Sequence, residues 1–63
     1  MKCTCIKKYV SVSGYIFEEN VEYDYIFDNI TFNFLLNDNY IVSLNDVKKI
    51  RLIKENFNLY FKL

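Results

Sequence analysis

Apolar and polar residues alternate almost without error along residues 17–28, FEENVEYDYIFD. The odd positions from 21 onwards are apolar: Val21, Tyr23, Tyr25 and Phe27. The even positions are acidic apart from Ile26: Glu22, Asp24 and Asp28. Because successive side chains of a strand point to opposite faces, this period predicts a half-buried strand with its carboxylates in solvent. We expect the four odd-numbered residues to be buried together, and Ile26 indicates that the polar face is partly covered.

Two further patterns precede this strand. Residues 3–12, CTCIKKYVSV, are rich in β-branched and aromatic types and predict a first strand. Ser11, Ser13 and Gly14 then indicate a turn or bulge. Asn20 stands where a tight turn needs a positive φ, which Asn tolerates better than most residues.

Turn-forming residues divide the middle of the chain. Residues 28–29 predict a tight turn, after which residues 30–37, ITFNFLLN, alternate as a third strand. Residues 37–39, NDN, predict another turn. Residues 40–44, YIVSL, follow as a fourth strand that residues 45–46 close. The expected arrangement is a meander of antiparallel strands.

Residues 46–62 allow two interpretations. Apolar residues at helical spacing predict one helix of about four turns, with Asn45 as its N-cap: Val47, Ile50, Ile53, Phe57, Tyr60 and Phe61. The alternative is a short strand at residues 49–53, KIRLI, followed by a helical turn at residues 54–61, KENFNLYF. We favour the split, because Leu52, Leu59 and Leu63 lie off the helical stripe.

Length and composition indicate one small domain. The chain has 63 residues, enough for a single domain spanning residues 1–63 with a thin core. Hydrophobic residues make up 52% of the chain, which argues against disorder. No run approaches the about 18 apolar residues of a membrane span, and the start MKCTCIKKYV lacks the apolar core of a signal peptide. We therefore expect a cytoplasmic protein that does not bind membranes.

The sequence gives little support for catalytic or metal chemistry. There is no His to act as a general base and no Gly-rich loop to hold a phosphate. Cys3 and Cys5 fall short of the about four ligands of a structural metal site, and a disulfide across one residue is strained. We expect two reduced thiols, at least one of them packed. We expect no catalytic residues, no metal and no cofactor, and therefore a protein that is not an enzyme.

The charges sum to zero but are segregated along the sequence. If the two basic ends pair in space, as is common in small barrels, the molecule has an acidic and a basic side. The acidic candidates for binding a protein are Glu18, Glu22, Asp24 and Asp28. The basic candidates for contacting nucleic acid, which the neutral total disfavours, are Lys7, Lys8, Lys48, Lys49 and Arg51. A simpler interpretation is a charged surface that keeps a hydrophobic domain soluble.

Short motifs at both ends of the chain, CIKKY and FEENVEY near the start and ENFNLYFKL at the end, resemble those of small SH3-like proteins encoded by phages and prophages of Gram-positive bacteria. CIKKY at residues 5–9 and FEENVEY at residues 17–23 are similar to that family's K-C-I-K and F-x-x-G-x-x-Y opening. ENFNLYFKL at residues 55–63 is similar to its E-x-F-x-x-Y-F tail. Asn20 replaces the family's turn glycine, and residues 52–53, LI, stand where a Ser or Thr commonly precedes the acidic residue. The resemblance implies a small β-barrel with an accessory, host-facing role; some proteins of this kind block bacterial defence systems.

We therefore expect an all-β fold: a small SH3-like antiparallel barrel of about five strands with a C-terminal helical turn. The alternative fold is a four-stranded antiparallel meander with one C-terminal helix. For function we expect a non-catalytic phage or prophage protein that binds a host protein, with inhibition of a defence system as the implied role. The alternatives are a nucleic-acid-contacting module and a structural or virion accessory domain. A homodimer through a strand edge is a further expectation, because small barrels leave such edges open.

Overall fold

A computed structural model describes the backbone of residues 1–32 and 35–63 and the side chains of residues 1–28 and 38–63. Along this part of the chain the elements are β1 Lys2–Cys5, β2 Tyr9–Val10, β3 Ile16–Phe17, β4 Glu22–Phe32, β5 Leu35–Ser43, β6 Lys49–Ile53, α1 Lys54–Tyr60 and β7 Phe61–Lys62. Five strands form a curled antiparallel half-barrel in the order β6-β5-β4-β1-β7, and β2 and β3 pair separately. The predicted small all-β fold is confirmed.

The longest pair of strands, β4 and β5, overturns two predicted turns. Residues 28–29 lie inside β4 and residues 37–39 lie inside β5, so neither segment reverses the chain. The register between the two strands is unbroken from Asp24 opposite Ser43 to the end of the ladder. Local Asn and Asp propensity for turns is overridden by pairing with neighbouring strands. The prediction that a separate third strand starts at residue 30 is therefore wrong, because residues 30–32 belong to β4. Residues 33–34 of that predicted strand lie outside the described part of the chain.

The predicted first strand is also shorter than expected. β1 ends at Cys5, and the Ile6 N–H then donates to the Tyr60 carbonyl at 2.7 Å. The Cys5 thiol donates to the Lys7 carbonyl at 3.0 Å, which holds the chain in a bend before β2 begins at Tyr9. The prediction of one strand over residues 3–12 is wrong, because this bend lets β2 leave the main sheet and pair with β3.

The turns predicted before β4 are confirmed. Gly14 has a φ of +84° and Asn20 a φ of +66°, both in the left-handed region. The Ser11 hydroxyl accepts a hydrogen bond from the Tyr15 N–H at 3.0 Å, and the Gly14 N–H donates to the Ser11 carbonyl. The Asn20 N–H donates to the Cys5 carbonyl at 2.7 Å, which ties the second turn to the end of β1.

The last third follows the favoured interpretation. A strand, β6, occupies residues 49–53, and the helix α1 begins directly afterwards at Lys54. Asn45 does not cap a helix; its side-chain oxygen accepts from the N–H groups of Val47 and Lys48 and so closes the turn between β5 and β6. The strand β7 is an addition that the sequence did not predict. It pairs with β1 and places Phe61 opposite Cys5.

The core lies on the concave face of the half-barrel, beneath α1 and the β2–β3 pair. Its buried apolar residues are Cys3, Cys5, Phe17, Tyr25, Val42, Ile50, Leu52, Phe57 and Phe61. Of the four residues expected to be buried in and before β4, Tyr25 is buried and Tyr23 is half-buried, whereas Val21 is 41% and Phe27 44% exposed. The prediction that all four residues are buried together is therefore wrong. Val21 lies before β4 begins, and Phe27 rests on the core through an edge contact with Tyr40.

Candidate functional site

The convex face of the half-barrel, which we call the outer face, is made by the residues that alternate with the core residues along β1, β4, β5, β6 and β7. The register places these residues in rows across the strands. Two of the rows carry mostly charged or hydroxyl residues: Lys62, Thr4 and Glu22, then Lys2, Asp24, Ser43 and Lys49. The next two carry three isoleucines: Ile26, Ile41 and Arg51, then Asp28, Asn39 and Ile53.

In the charged rows, acids and bases alternate rather than separate. Lys2 Nζ lies 2.8 Å from Asp24 Oδ1, directly across the β1–β4 pair. Thr4 lies between Glu22 and Lys62 in the register. The hydrogen bond and the charge of Lys2 lower the pKa of the Asp24 carboxyl, and Asp24 in turn raises the pKa of Lys2. Strand pairing therefore mixes charges that are segregated along the sequence.

The other two rows form an apolar surface that we call the isoleucine cluster: Ile26, Ile41 and Ile53. Ile26 and Ile41 are directly opposite each other, and Ile53 is one register step from Ile41 on the next strand. Ile26 is 56% and Ile53 48% exposed. Arg51 reaches across β5 to Asp28, with its Nη1 atom 3.2 Å from Asp28 Oδ2. In the register this neutral ion pair runs between Ile26 and Ile53, so it divides the cluster.

The four acidic candidates do not form one bare surface. Glu22, Asp24 and Asp28 share the outer face, as their spacing predicts, but Asp24 and Asp28 are paired with Lys2 and Arg51. Glu18 lies apart, directly after β3, where its N–H donates to the Tyr23 hydroxyl oxygen at 2.8 Å. Its carboxylate is 4.0 Å from Lys8 Nζ.

The basic candidates are also engaged within the molecule. Lys8 and Arg51 pair with the acidic candidates Glu18 and Asp28. The ammonium groups of Lys7 and Lys48 each lie 5.7 Å from a tyrosine ring centre, those of Tyr60 and Tyr15. Lys49 lies at the start of β6, on the outer face. The five bases are therefore distributed over two loops and one strand.

Both thiols are free and buried, as predicted. Burial raises the pKa of Cys3 to about 11, with smaller contributions from Cys5 and nearby carboxylates. Burial also raises the pKa of Cys5. Both groups are thus held as neutral thiols. Among the residues whose side chains are described, no group of three or more His, Cys, Asp or Glu side chains is placed to hold a metal ion.

Comparisons with protein families, with curated proteins and with solved structures gave no match to this chain. Among the described residues there is also no helix of sufficient length and apolar character to cross a membrane. The isoleucine cluster was only partly visible in the sequence. Ile26 breaks the polar alternation of β4 and is the one signal that the outer face is not uniformly polar, whereas the contribution of Ile53 from β6 depends on strand order.

Proposed function

We propose that this protein is a non-catalytic binding module that docks on another protein through the isoleucine cluster. The observation that carries the proposal is the exposure of Ile26 and Ile53 on one regular sheet face, on either side of the Arg51–Asp28 ion pair. Protein–protein interfaces combine apolar area with hydrogen-bonded polar groups. Burial of the exposed area of Ile26 on β4 and Ile53 on β6 against a partner is favourable.

The chemistry of this surface favours a protein partner over nucleic acid. Binding to a phosphate backbone requires cations that are free to replace counterions. The nearest cation to the cluster, Arg51, is held by Asp28, and Lys8 lies beside Glu18. A neutral apolar surface is complementary to an equally neutral apolar surface on a partner.

The proposal also includes the type of fold and the class of partner. A curled sheet of five strands with a short helix before its last strand supports an SH3-like barrel. The resemblance of both chain ends to phage and prophage proteins then points to a bacterial host protein as the partner, with a defence complex as the target. The acidic residues Glu22 and Asp24 share the outer face with the cluster and act as a rim that tunes partner choice, whereas Glu18 lies apart after β3.

The proposal can be tested by pull-down from a lysate of a low-GC Gram-positive bacterium, using the tagged full chain. We expect one host complex to be captured by the wild type and lost with Ile26→Lys, because a charge at the centre of a desolvated interface is costly. Val12→Lys is the matched control, since Val12 is fully exposed away from the outer face. Capture that survives Ile26→Lys, or that is lost equally with Val12→Lys, contradicts docking through the cluster.

A second set of variants separates the centre from the rim. Reversal of Glu18, Glu22 and Asp24 to Lys is expected to weaken capture and make it depend on salt, without abolishing it, because it changes the net charge from zero to +6 (three changes of +2 each) and net charge acts mainly on association rate. If the charge-reversed variant captures nothing and Ile26→Lys captures as much as the wild type, the partner binds to the acidic residues and not to the isoleucine cluster.

A further inference from the structure

The strands β4 and β5 extend beyond the strands that flank them. On one side, pairing with β1 ends where the Tyr25 N–H donates to the Met1 carbonyl at 2.8 Å. On the other side, pairing of β5 with β6 ends at Asn39. The β4–β5 ladder continues past both points. Residues 26–32 and 35–38 therefore form a two-stranded extension of the sheet, which we call the ribbon.

The outer edge of the ribbon on β4 carries main-chain groups in a fixed alternation. In an antiparallel ladder, consecutive residues direct their N–H and C=O groups to opposite sides. The Tyr25 groups face the β1 side, because its N–H donates to Met1. By alternation along an unbroken register, Phe27, Asn29 and Thr31 present their N–H and C=O groups on that same side. Within the described chain, no strand runs alongside these three residues.

Two other edges of the sheet, those of β6 and β7, are poorly suited to pairing with a copy. The edge strand β6 carries Lys49 and Arg51 and is flanked by Lys48 and Lys54, so self-pairing would bring like charges together. Charged edge strands of this kind are a common protection against association. The opposite edge strand, β7, has only two residues. The β4 edge of the ribbon has neither protection.

A second copy of β4 is complementary to this edge about Asn29. Antiparallel pairing centred there places Asn29 opposite the partner's Asn29, and Phe27 opposite the partner's Thr31. The outward main-chain groups then meet in about six hydrogen bonds. Asp28, the one charged residue between positions 26 and 32, falls opposite the partner's Ile30 and not opposite another carboxylate.

The register also suits Ile26, which is 56% exposed on the outer face. Edge-to-edge pairing about Asn29 places position 26 opposite position 32 of the partner, so Ile26 does not meet a charged residue.

We propose that the protein forms a two-fold dimer in which residues 26–32 of β4 pair edge to edge with the same residues of a second copy. The two half-barrels then become one continuous antiparallel sheet, with both isoleucine clusters on the same side. The dimer does not depend on any host protein. Its test uses the purified full chain alone, so its failure is distinct from failure of the pull-down.

The first test compares Asn29→Pro with Asn29→Thr by analytical ultracentrifugation. Pro removes the outward N–H and is tolerated where that group faces away from the neighbouring strand, whereas Thr keeps the N–H and suits a strand. We expect a concentration-dependent dimer for the wild type and Asn29→Thr, and a Kd at least about tenfold higher for Asn29→Pro. A wild type that stays monomeric at about 1 mM, or equal Kd values for all three proteins, overturns the proposal.

The second test locates the two-fold axis by disulfide cross-linking. Residue 29 alone lies opposite itself, at a Cα separation of about 5.5 Å that a disulfide can span. Asn29→Cys should therefore cross-link rapidly under mild oxidation. Thr31→Cys is the matched control, because the two copies of residue 31 would lie about 14 Å apart. The native thiols are buried and should not contribute. Equal cross-linking of both variants, or none in either, overturns this pairing.

Discussion

At the scale of single residues, two left-handed backbone conformations determine where the chain reverses before β4. Gly14 adopts its φ of +84° without steric cost, and a Cβ added there would meet no atom within 4 Å. Asn20 adopts a φ of +66°, and its N–H holds the Cys5 carbonyl. The second turn thus fixes the alignment of β1 with β4.

We predict that Asn20→Ala lowers the free energy of unfolding by about 1 kcal/mol, because a Cβ-bearing residue without a local polar group is strained in the left-handed region. Asn20→Gly should be neutral or stabilising. Urea unfolding of the three proteins measures the difference. Equal losses for Ala and Gly would show that the Asn20 side chain matters for another reason than backbone conformation.

Cys3 gives a second residue-scale prediction, which concerns pH. Its pKa is raised by burial from 9.0 to about 11, so the folded state favours the neutral thiol. The stability that this provides is fully present below pH 9 and is lost as the pH rises through about 11. We expect the free energy of unfolding to fall more steeply between pH 9 and 11 for the wild type than for Cys3→Ala, by about 1–2 kcal/mol.

All other titratable groups are common to the two proteins, so the comparison is made between the slopes of the free energy of unfolding against pH. These groups contribute equally to both proteins. We expect Cys3→Ala to be less stable than the wild type, and its free energy of unfolding to change less with pH. Parallel curves for the two proteins would mean that the thiol ionises without unfolding the chain.

At the scale of elements, the sequence determined some boundaries better than others. Residues 49–53 and the helix after them could be predicted because Leu52, Leu59 and Leu63 lie off the apolar stripe of a single helix. The length of β4 could not, because Asp28 occupies a strand position through its contact with Arg51, a residue 23 positions away. The parity change after Phe27 resembles a chain reversal in the sequence, whereas in the structure β4 continues through it without a break in register.

The turn between β5 and β6 depends on Asn45. Its side-chain oxygen accepts from Val47 N–H at 2.9 Å and Lys48 N–H at 2.7 Å. We predict that Asn45→Ala lowers the free energy of unfolding by about 1 kcal/mol, the typical loss for a side chain that satisfies turn N–H groups. Asn45→Asp should retain most of the stability, and Asp46→Ala, next to it, serves as control. A smaller loss for Asn45→Ala than for Asp46→Ala would contradict this role.

At the scale of the whole molecule, an aromatic network links β3, β4, β5, α1 and β7. Phe57 is the centre of it: fully buried, it stacks on Tyr40 at 4.0 Å and on Phe61 at 5.4 Å between ring centres. Phe61 continues the network to Phe17 at 5.8 Å. Phe57 of the seven-residue helix therefore joins α1 to the sheet, and Phe61 of β7 joins the sheet to the β2–β3 pair. The aromatic content predicts such a core, but its geometry depends on β7, which is too short to recognise in the sequence.

We predict that Phe57→Ala costs about 3–5 kcal/mol, which in a domain of this size is enough to abolish cooperative unfolding. Leu59→Ala is the matched control on the same helix, because Leu59 is 62% exposed and should change stability by about 0.5 kcal/mol or less. Thermal unfolding followed by circular dichroism compares the two. Comparable stability of both variants would show that α1 does not close the core.

The mixing of acids and bases across the strands also has a consequence for the speed of association. With zero net charge, and with Lys2, Lys8 and Arg51 each beside a carboxylate, the molecule projects little electric field into solution. Encounters with a partner are then governed by diffusion and orientation alone, at about 10⁵–10⁶ M⁻¹s⁻¹. The rate at which complexes form should barely respond to ionic strength, and selectivity must reside in how long each complex lasts.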